Sequence, residues 1–185
     1  MDRTTYSMIY EIEKANRDFV ANGSGSRYAA GKIPAKGVAI VSCMDARLIT
    51  LLTAALGLEN GDANIITNAG ALVTGPADST MRSLLISIYE MKVRTVMVVA
   101  HTDCGVCGMQ SHELFHLMRE RGISDQAIRQ AESDPETVRM LTGFADTAQS
   151  VRDSVSIIRH HPLVPADVAV EGYILDTVTG RLDPV

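Results

Sequence analysis

Two apolar, β-branched runs, Val38-Ala39-Ile40-Val41 and Val96-Met97-Val98-Val99, each lead into a polar cluster rich in metal-binding side chains. The first runs on through Cys43-Met44-Asp45-Ala46-Arg47 and the second through His101-Thr102-Asp103-Cys104-Gly105. Short continuous apolar runs read as strands buried on both faces, as in a parallel sheet covered by helices. Side chains at the ends of two such strands can converge at the carboxyl edge, where open α/β sheets hold their sites. The expected fold class is therefore α/β, with a central, mostly parallel sheet of about four to five strands flanked by helices.

Cys43, His101 and Cys104 offer two sulfurs and an imidazole. Zinc accepts these donors in a tetrahedron, and three protein ligands leave the fourth corner open for water or substrate. Taken singly, each cysteine reads as a small core residue and the histidine as a hydrogen-bonded core residue. Taken jointly, ligand type, strand-end position and the adjacent Asp45-Ala46-Arg47 favour one Zn²⁺ per chain. An ionised Asp45 can only accept hydrogen bonds, so it can orient a water by its O–H. Arg47 can hold that carboxylate ionised through a bidentate pair. Released by Arg47, Asp45 could instead become a fourth ligand and close the site. The alternative for the pair is a salt bridge in a surface loop.

The C-x-D-x-R and H-x-x-C-G clusters resemble those of the β-class carbonic anhydrases. The likeness extends over most of the chain, through Asn68-Ala69-Gly70, Ser83-Leu84, Glu171-Gly172-Tyr173-Ile174-Leu175-Asp176 and Thr179-Gly180-Arg181-Leu182. The resemblance implies a β-carbonic-anhydrase-like fold, Cys43, His101 and Cys104 as zinc ligands, and Asp45 with Arg47 as the catalytic pair. It also implies reversible hydration of carbon dioxide to bicarbonate and a proton by zinc-bound hydroxide. Two thiolates cancel the formal charge of Zn²⁺, so such a site acidifies water less than the three-histidine site, whose bound water has a pKa of about 7. Backbone N–H groups near Gly105, at the start of the helix expected there, and the close backbone approach allowed by Gly70 are candidates for the substrate and oxyanion vicinity. Many members carry Arg where this chain has Thr67, and some regulated members carry Trp where it has Ile40. The non-catalytic bicarbonate pocket in its usual form is therefore not expected. The pocket is expected to be aliphatic, lined by Leu72, Val73 and Val106.

Such a pocket suits carbonyl sulfide and carbon disulfide as well as carbon dioxide, and hydrolases of those compounds resemble the same family. Three other readings compete. His112-Glu113-Leu114-Phe115-His116 matches the H-E-x-x-H pattern of zinc proteases, but His160 and His161 are the only later histidines and neither clearly supplies a third ligand. Cys104-Gly105-Val106-Cys107 matches a redox C-x-x-C, which would leave Cys43, Asp45 and His101 unexplained; Cys107 is expected to be packed inside a helix. A non-catalytic zinc-binding protein would not need Asp45 and Arg47.

The chain of 185 residues, 46% hydrophobic, is expected to form one zinc-binding α/β domain over 1–185 with an N-terminal helical arm at about 1–22. Met8, Ile12, Ala15 and Phe19 recur at helical spacing, and Asn22-Gly23-Ser24-Gly25-Ser26 ends that helix. A net charge of −5 with no long basic run argues against a nucleic-acid partner. No apolar stretch is long enough for a membrane span, and Glu11, Glu13 and Lys14 interrupt any signal-peptide core. Three cysteines, two of them wanted as thiolates, fit a reducing compartment, so a cytoplasmic location is expected. The resemblance further implies a homodimer or larger homo-oligomer. Strands are expected near Val38–Ser42, Asn64–Thr67, Val93–Ala100 and Val168–Ile174, with a helix capped by Asp78 running to Met91 and largely helical structure from Ser111 to Arg159.

Overall fold

The computed structural model describes residues 3–185; the first two residues of the expected arm lie outside them. Two compact units are present, Met1–Lys32 and Ile33–Val185. The first contains helix α1 (Arg3–Ala21) and a short 3-10 turn at Ser24–Tyr28. Gly23, at φ +63°, turns the chain between them, a conformation glycine adopts at little cost. Phe19 and Tyr28 pack with ring centroids 5.9 Å apart.

The second unit carries a five-stranded sheet in the order β2-β1-β3-β4-β5. Its strands are β1 (Val38–Cys43), β2 (Ala63–Asn68), β3 (Thr95–His101), β4 (Ala169–Leu175) and β5 (Leu182–Pro184). The first four pair in parallel and β5 returns antiparallel to β4. Every residue of β1 is buried, because helices cover both faces of the central strands. Ala39, Val41, Val96, Val98 and Ala100 pack against Met81 and Leu84 of α3 (Ser79–Tyr89) and Val151, Val155 and Ile158 of α7 (Thr147–Arg159). Val38, Ile40 and Val99 face the other way, onto Leu48 and Leu52 of α2 (Leu48–Ala55). Each buried Val, Leu, Ile or Met among these contributes about 1.5–3 kcal/mol of transfer free energy, and the alanines less. At Gly172, an added Cβ would come within 2.5 Å of Val151, so α7 rests directly on the backbone of β4.

The α/β expectation and the four parallel strands hold. Asp78 caps α3 by accepting from the Met81 N–H, but the helix ends at Tyr89 rather than Met91. The reason is Lys92, left-handed at φ +57°, which turns the chain toward β3. The region from Ser111 to Arg159 holds α4 (Ser111–Glu120), α5 (Asp125–Ser133), α6 (Pro135–Leu141) and α7.

This topology fixes where chemistry can occur. From β1 the chain passes to β2 on one side and then to β3 on the other, so the crevice at the carboxyl ends of β1 and β3 is the switch point of the sheet. Cys43 ends β1 and His101 ends β3.

Candidate metal centre

The two strand ends are held rigidly. Ser42 donates from Oγ to the Val99 carbonyl at 3.0 Å, tying β1 to β3 in the buried interior. The Thr102 N–H donates to the Leu175 carbonyl, and the Thr177 N–H donates to Thr102 Oγ1, which ties the end of β3 to β4. Beyond β2, Asn68 accepts from the Leu72 N–H at 2.8 Å and donates to the Leu72 carbonyl at 2.7 Å. That closed turn carries Gly70 at φ +89°, and its N–H points at Cys43 Sγ across 3.4 Å. A Cβ there would lie 2.9 Å from Phe144, so glycine is required for both dihedral and space.

Cys43, His101 and Cys104 are buried, and their ligand atoms all lie within 4.8 Å of one another. The two sulfurs are 4.0 Å apart, well beyond the roughly 2 Å of a disulfide bond. His101 Nδ1 lies 2.9 Å from the Thr102 carbonyl. A carbonyl can only accept, so Nδ1 carries the proton and Nε2 presents its lone pair. That Nε2 is buried without a hydrogen-bond partner. An orphaned buried nitrogen facing two sulfurs is costly unless a cation meets it, so the residues present fit a zinc ion. Among the described residues this is the one such group of three.

The Cys104 thiol is pushed above its ordinary value by burial and by the neighbouring Cys43 sulfur, while the N–H groups of Val106 and Cys107 oppose the rise. Without metal, the thiol keeps its proton at neutral pH, and zinc must displace it. Zinc affinity is therefore expected to rise by about tenfold per pH unit for this one proton between about pH 6 and pH 8. Competition with a chromophoric chelator across that range measures it. In the metal-free protein the sign is opposite: the folded state holds the proton more tightly, so stability is full below the ordinary value of 9.0 and falls as pH climbs above it.

Asp45 and Arg47 meet as a bidentate pair. Arg47 donates from Nε to Oδ1 at 2.9 Å, from Nη2 to Oδ2 at 2.8 Å, and from its backbone N–H to Oδ1 at 2.9 Å. The Arg47 side chain and then its N–H hold the Asp45 carboxyl well below the usual carboxylate range. Asp45 Oδ2 lies 3.8 Å from His101 Nε2, so the carboxylate borders the ligand group without joining it by a hydrogen bond.

Several expectations require correction. Gly105 does not start a helix: residues 105–108 form a turn and α4 begins at Ser111. Gly108, at φ +80°, donates to the Phe144 carbonyl and prevents a helix from running through. Cys107 is exposed in this turn rather than packed inside a helix. His112 and His116 are both exposed on α4, while His161 is a buried histidine whose Nε2 contacts the Pro76 carbonyl at 3.1 Å. The cavity that reaches Cys43 and Asp45, about 290 Å³, is lined by Met44, Leu48, Leu52, Ile65 and Thr67 among others. Leu72 and Val73 line a different cavity beside α7, because the left-handed pair Gly70 and Ala71 turns the chain that way. The lining is aliphatic as expected, but Leu48, Leu52 and Ile65 supply it rather than Leu72, Val73 and Val106.

The family model described as carbonic anhydrase matches residues 38–182. "Putative carbonic anhydrase YtiB" of Bacillus subtilis is 40% identical over 178 residues, covering 96% of this chain and 95% of that protein. A carbon disulfide hydrolase of Acidithiobacillus thiooxidans is 27% identical over 154 residues, covering 78% and 75%. The crystal structure of β-carbonic anhydrase isoform I from Trichomonas vaginalis superposes with a TM-score of 0.86 at 28% identity, covering 100% of this chain and 97% of that one. Matched over residues 38–182 by the family model and along most of its length by these relatives, the chain belongs to the carbonic anhydrase family of the β class, whose metal is zinc.

Proposed function

We propose that this protein catalyses reversible hydration of carbon dioxide to bicarbonate and a proton, with zinc held by Cys43, His101 and Cys104. The observation that carries this reading is the Asp45 carboxylate, gripped by Arg47 yet only 3.8 Å from the free His101 nitrogen. Zinc bound there supplies Lewis-acid activation of water. Asp45, ionised at all ordinary pH values, would accept the O–H of the attacking water and so orient its oxygen lone pair toward the substrate carbon. Arg47 keeps the carboxylate charged and oriented. Gly70 serves the site by donating to the Cys43 sulfur, which steadies the thiolate. Just beyond Gly105, the Val106 and Cys107 N–H groups face the Cys104 sulfur and steady it as a thiolate in the same way. Leu48, Leu52 and Ile65 give carbon dioxide an apolar approach.

The same apolar cavity, together with the likeness to a carbon disulfide hydrolase, supports a second reading: hydrolysis of carbonyl sulfide or carbon disulfide at the same centre. Stopped-flow hydration of carbon dioxide by zinc-loaded protein, run beside sulfide release from carbonyl sulfide, separates the two. Rapid hydration bears out the anhydrase. Brisk sulfide release without hydration reassigns the substrate, and silence in both assays with zinc bound defeats the enzyme reading.

We further infer one zinc-binding domain with an N-terminal helical arm, a cytoplasmic location, and a homodimer or larger assembly. Exposed Met8, Ile12 and Phe19 on α1, and exposed Met44 and Ile49 around the site cavity, support assembly. Among the described residues no helix is long and apolar enough to cross a membrane. Sedimentation of the intact protein tests the assembly.

A further inference from the structure

Arg47 does more than pair with Asp45. Its Nη1 donates to Asp103 Oδ2 at 3.0 Å, and its Nη2 donates to the Asp103 carbonyl at 2.8 Å. With Nε and Nη2 also engaged by Asp45, all three guanidinium nitrogens are spoken for. One side chain thus bolts the loop after β1 to the loop after β3, at the switch point of the sheet.

Asp103 reaches this position by an uncommon route. It stands at φ +54°, in the left-handed region that few residues other than glycine enter, and that aspartate and asparagine tolerate best. Non-glycine residues held there persist where surrounding structure fixes them, and they cluster at functional sites. The consequence here is that both the carboxylate and the backbone carbonyl of one residue face Arg47. The Asp103 side chain is 87% exposed, so its ion pair with Arg47 adds little to global stability. Its importance lies in what Arg47 must do. A guanidinium held only by Asp45 could rotate away from this partly open position, and the freed carboxylate borders the ligand group closely enough to turn toward it.

Building on the anhydrase reading of this site, we propose that Asp103 is a positioning residue: it holds Arg47 over the Asp45 carboxylate and so keeps Asp45 turned to accept from substrate water rather than toward the metal ligands. Nothing in this assignment requires Asp103 to touch substrate. Its action passes wholly through Arg47.

Two variants preserve the backbone conformation. Asp103→Gly removes the carboxylate but keeps the left-handed turn and its carbonyl; Asp103→Asn keeps a neutral acceptor in the same place. In zinc-loaded protein, the nitrogen-15 resonance of Arg47 Nε reports how firmly the guanidinium is held. In Asp103→Gly, solvent exchange of that N–H is expected to quicken by roughly fivefold, and kcat for hydration to fall by a similar factor at unchanged KM and zinc content. Asp103→Asn should lie between that variant and the parent in both measurements. An Arg47 N–H as protected in Asp103→Gly as in the parent overturns the proposal. So does a loosened Arg47 with undiminished kcat, or loss of zinc, which would make Asp103 part of the metal loop's architecture. If the zinc-loaded parent hydrates no carbon dioxide, the anhydrase reading fails separately, and the Arg47 exchange rate alone decides whether the clamp exists.

Discussion

Cys104→Ser is expected to lower zinc affinity by about a hundredfold and to remove hydration activity with the metal. The magnitude follows from sharing the roughly 10–16 kcal/mol of a structural four-ligand zinc site among its ligands, which assigns about 3 kcal/mol or more to each. Serine keeps the shape of the side chain and can still accept from the Val106 and Cys107 N–H groups. Its hydroxyl, however, gives up a proton far less readily than a thiol and does not become a soft anionic ligand. Zinc analysis after desalting, with circular dichroism to confirm the fold, measures the effect. Cys107→Ser is the matched control: that thiol is exposed and stands outside the ligand group, so zinc and activity should both survive. If Cys104→Ser retained full zinc and turnover, the metal assignment would fall.

Asp45→Asn should lower kcat by roughly a hundredfold to a thousandfold while zinc stays bound, the range expected when a positioned acid–base partner is removed. The amide is nearly isosteric but neutral, and its NH2 end cannot accept. It also loosens Arg47, which loses its Nη2 bond to residue 45 and the charge on the rest of the pair while keeping Asp103. Because Asp45 is absent from the buried ligand group, the zinc content of the variant should match the parent. Stopped-flow hydration with metal analysis on the same sample reads both quantities. A variant that lost zinc in step with activity would show that Asp45 acts as a ligand, and one with unimpaired kcat would remove it from the chemistry.

Much of this molecule is legible in its sequence. Val38–Val41 and Val96–Val99 announced two central strands because burial on both faces leaves an unbroken apolar run. Asp78 announced a helix start because its carboxylate meets a free N–H locally, here that of Met81. Less was legible between elements. The turn at Gly105 looked like a helix start because glycine and small residues after a strand suit either outcome. What ended that expectation was Phe144, whose carbonyl takes the Gly108 N–H from far along the chain. The exposure of Cys107 has the same origin, whereas the left-handed pair Gly70 and Ala71 carries Leu72 and Val73 toward α7.

By itself the sequence determined the fold class, the strands that matter and the candidate metal donors, because hydrophobic period, capping and ligand chemistry are properties of neighbouring residues. Tertiary structure alone decided the geometry around them. Gly70 meets Cys43, and Arg47 meets Asp103 56 positions away, only because strand order sets β2 and β3 on either side of β1 and parallel register aligns their ends. No local pattern encodes which strand lies beside which. The free His101 nitrogen, the clamp on Asp45 and the lining of the cavity are consequences of that choice.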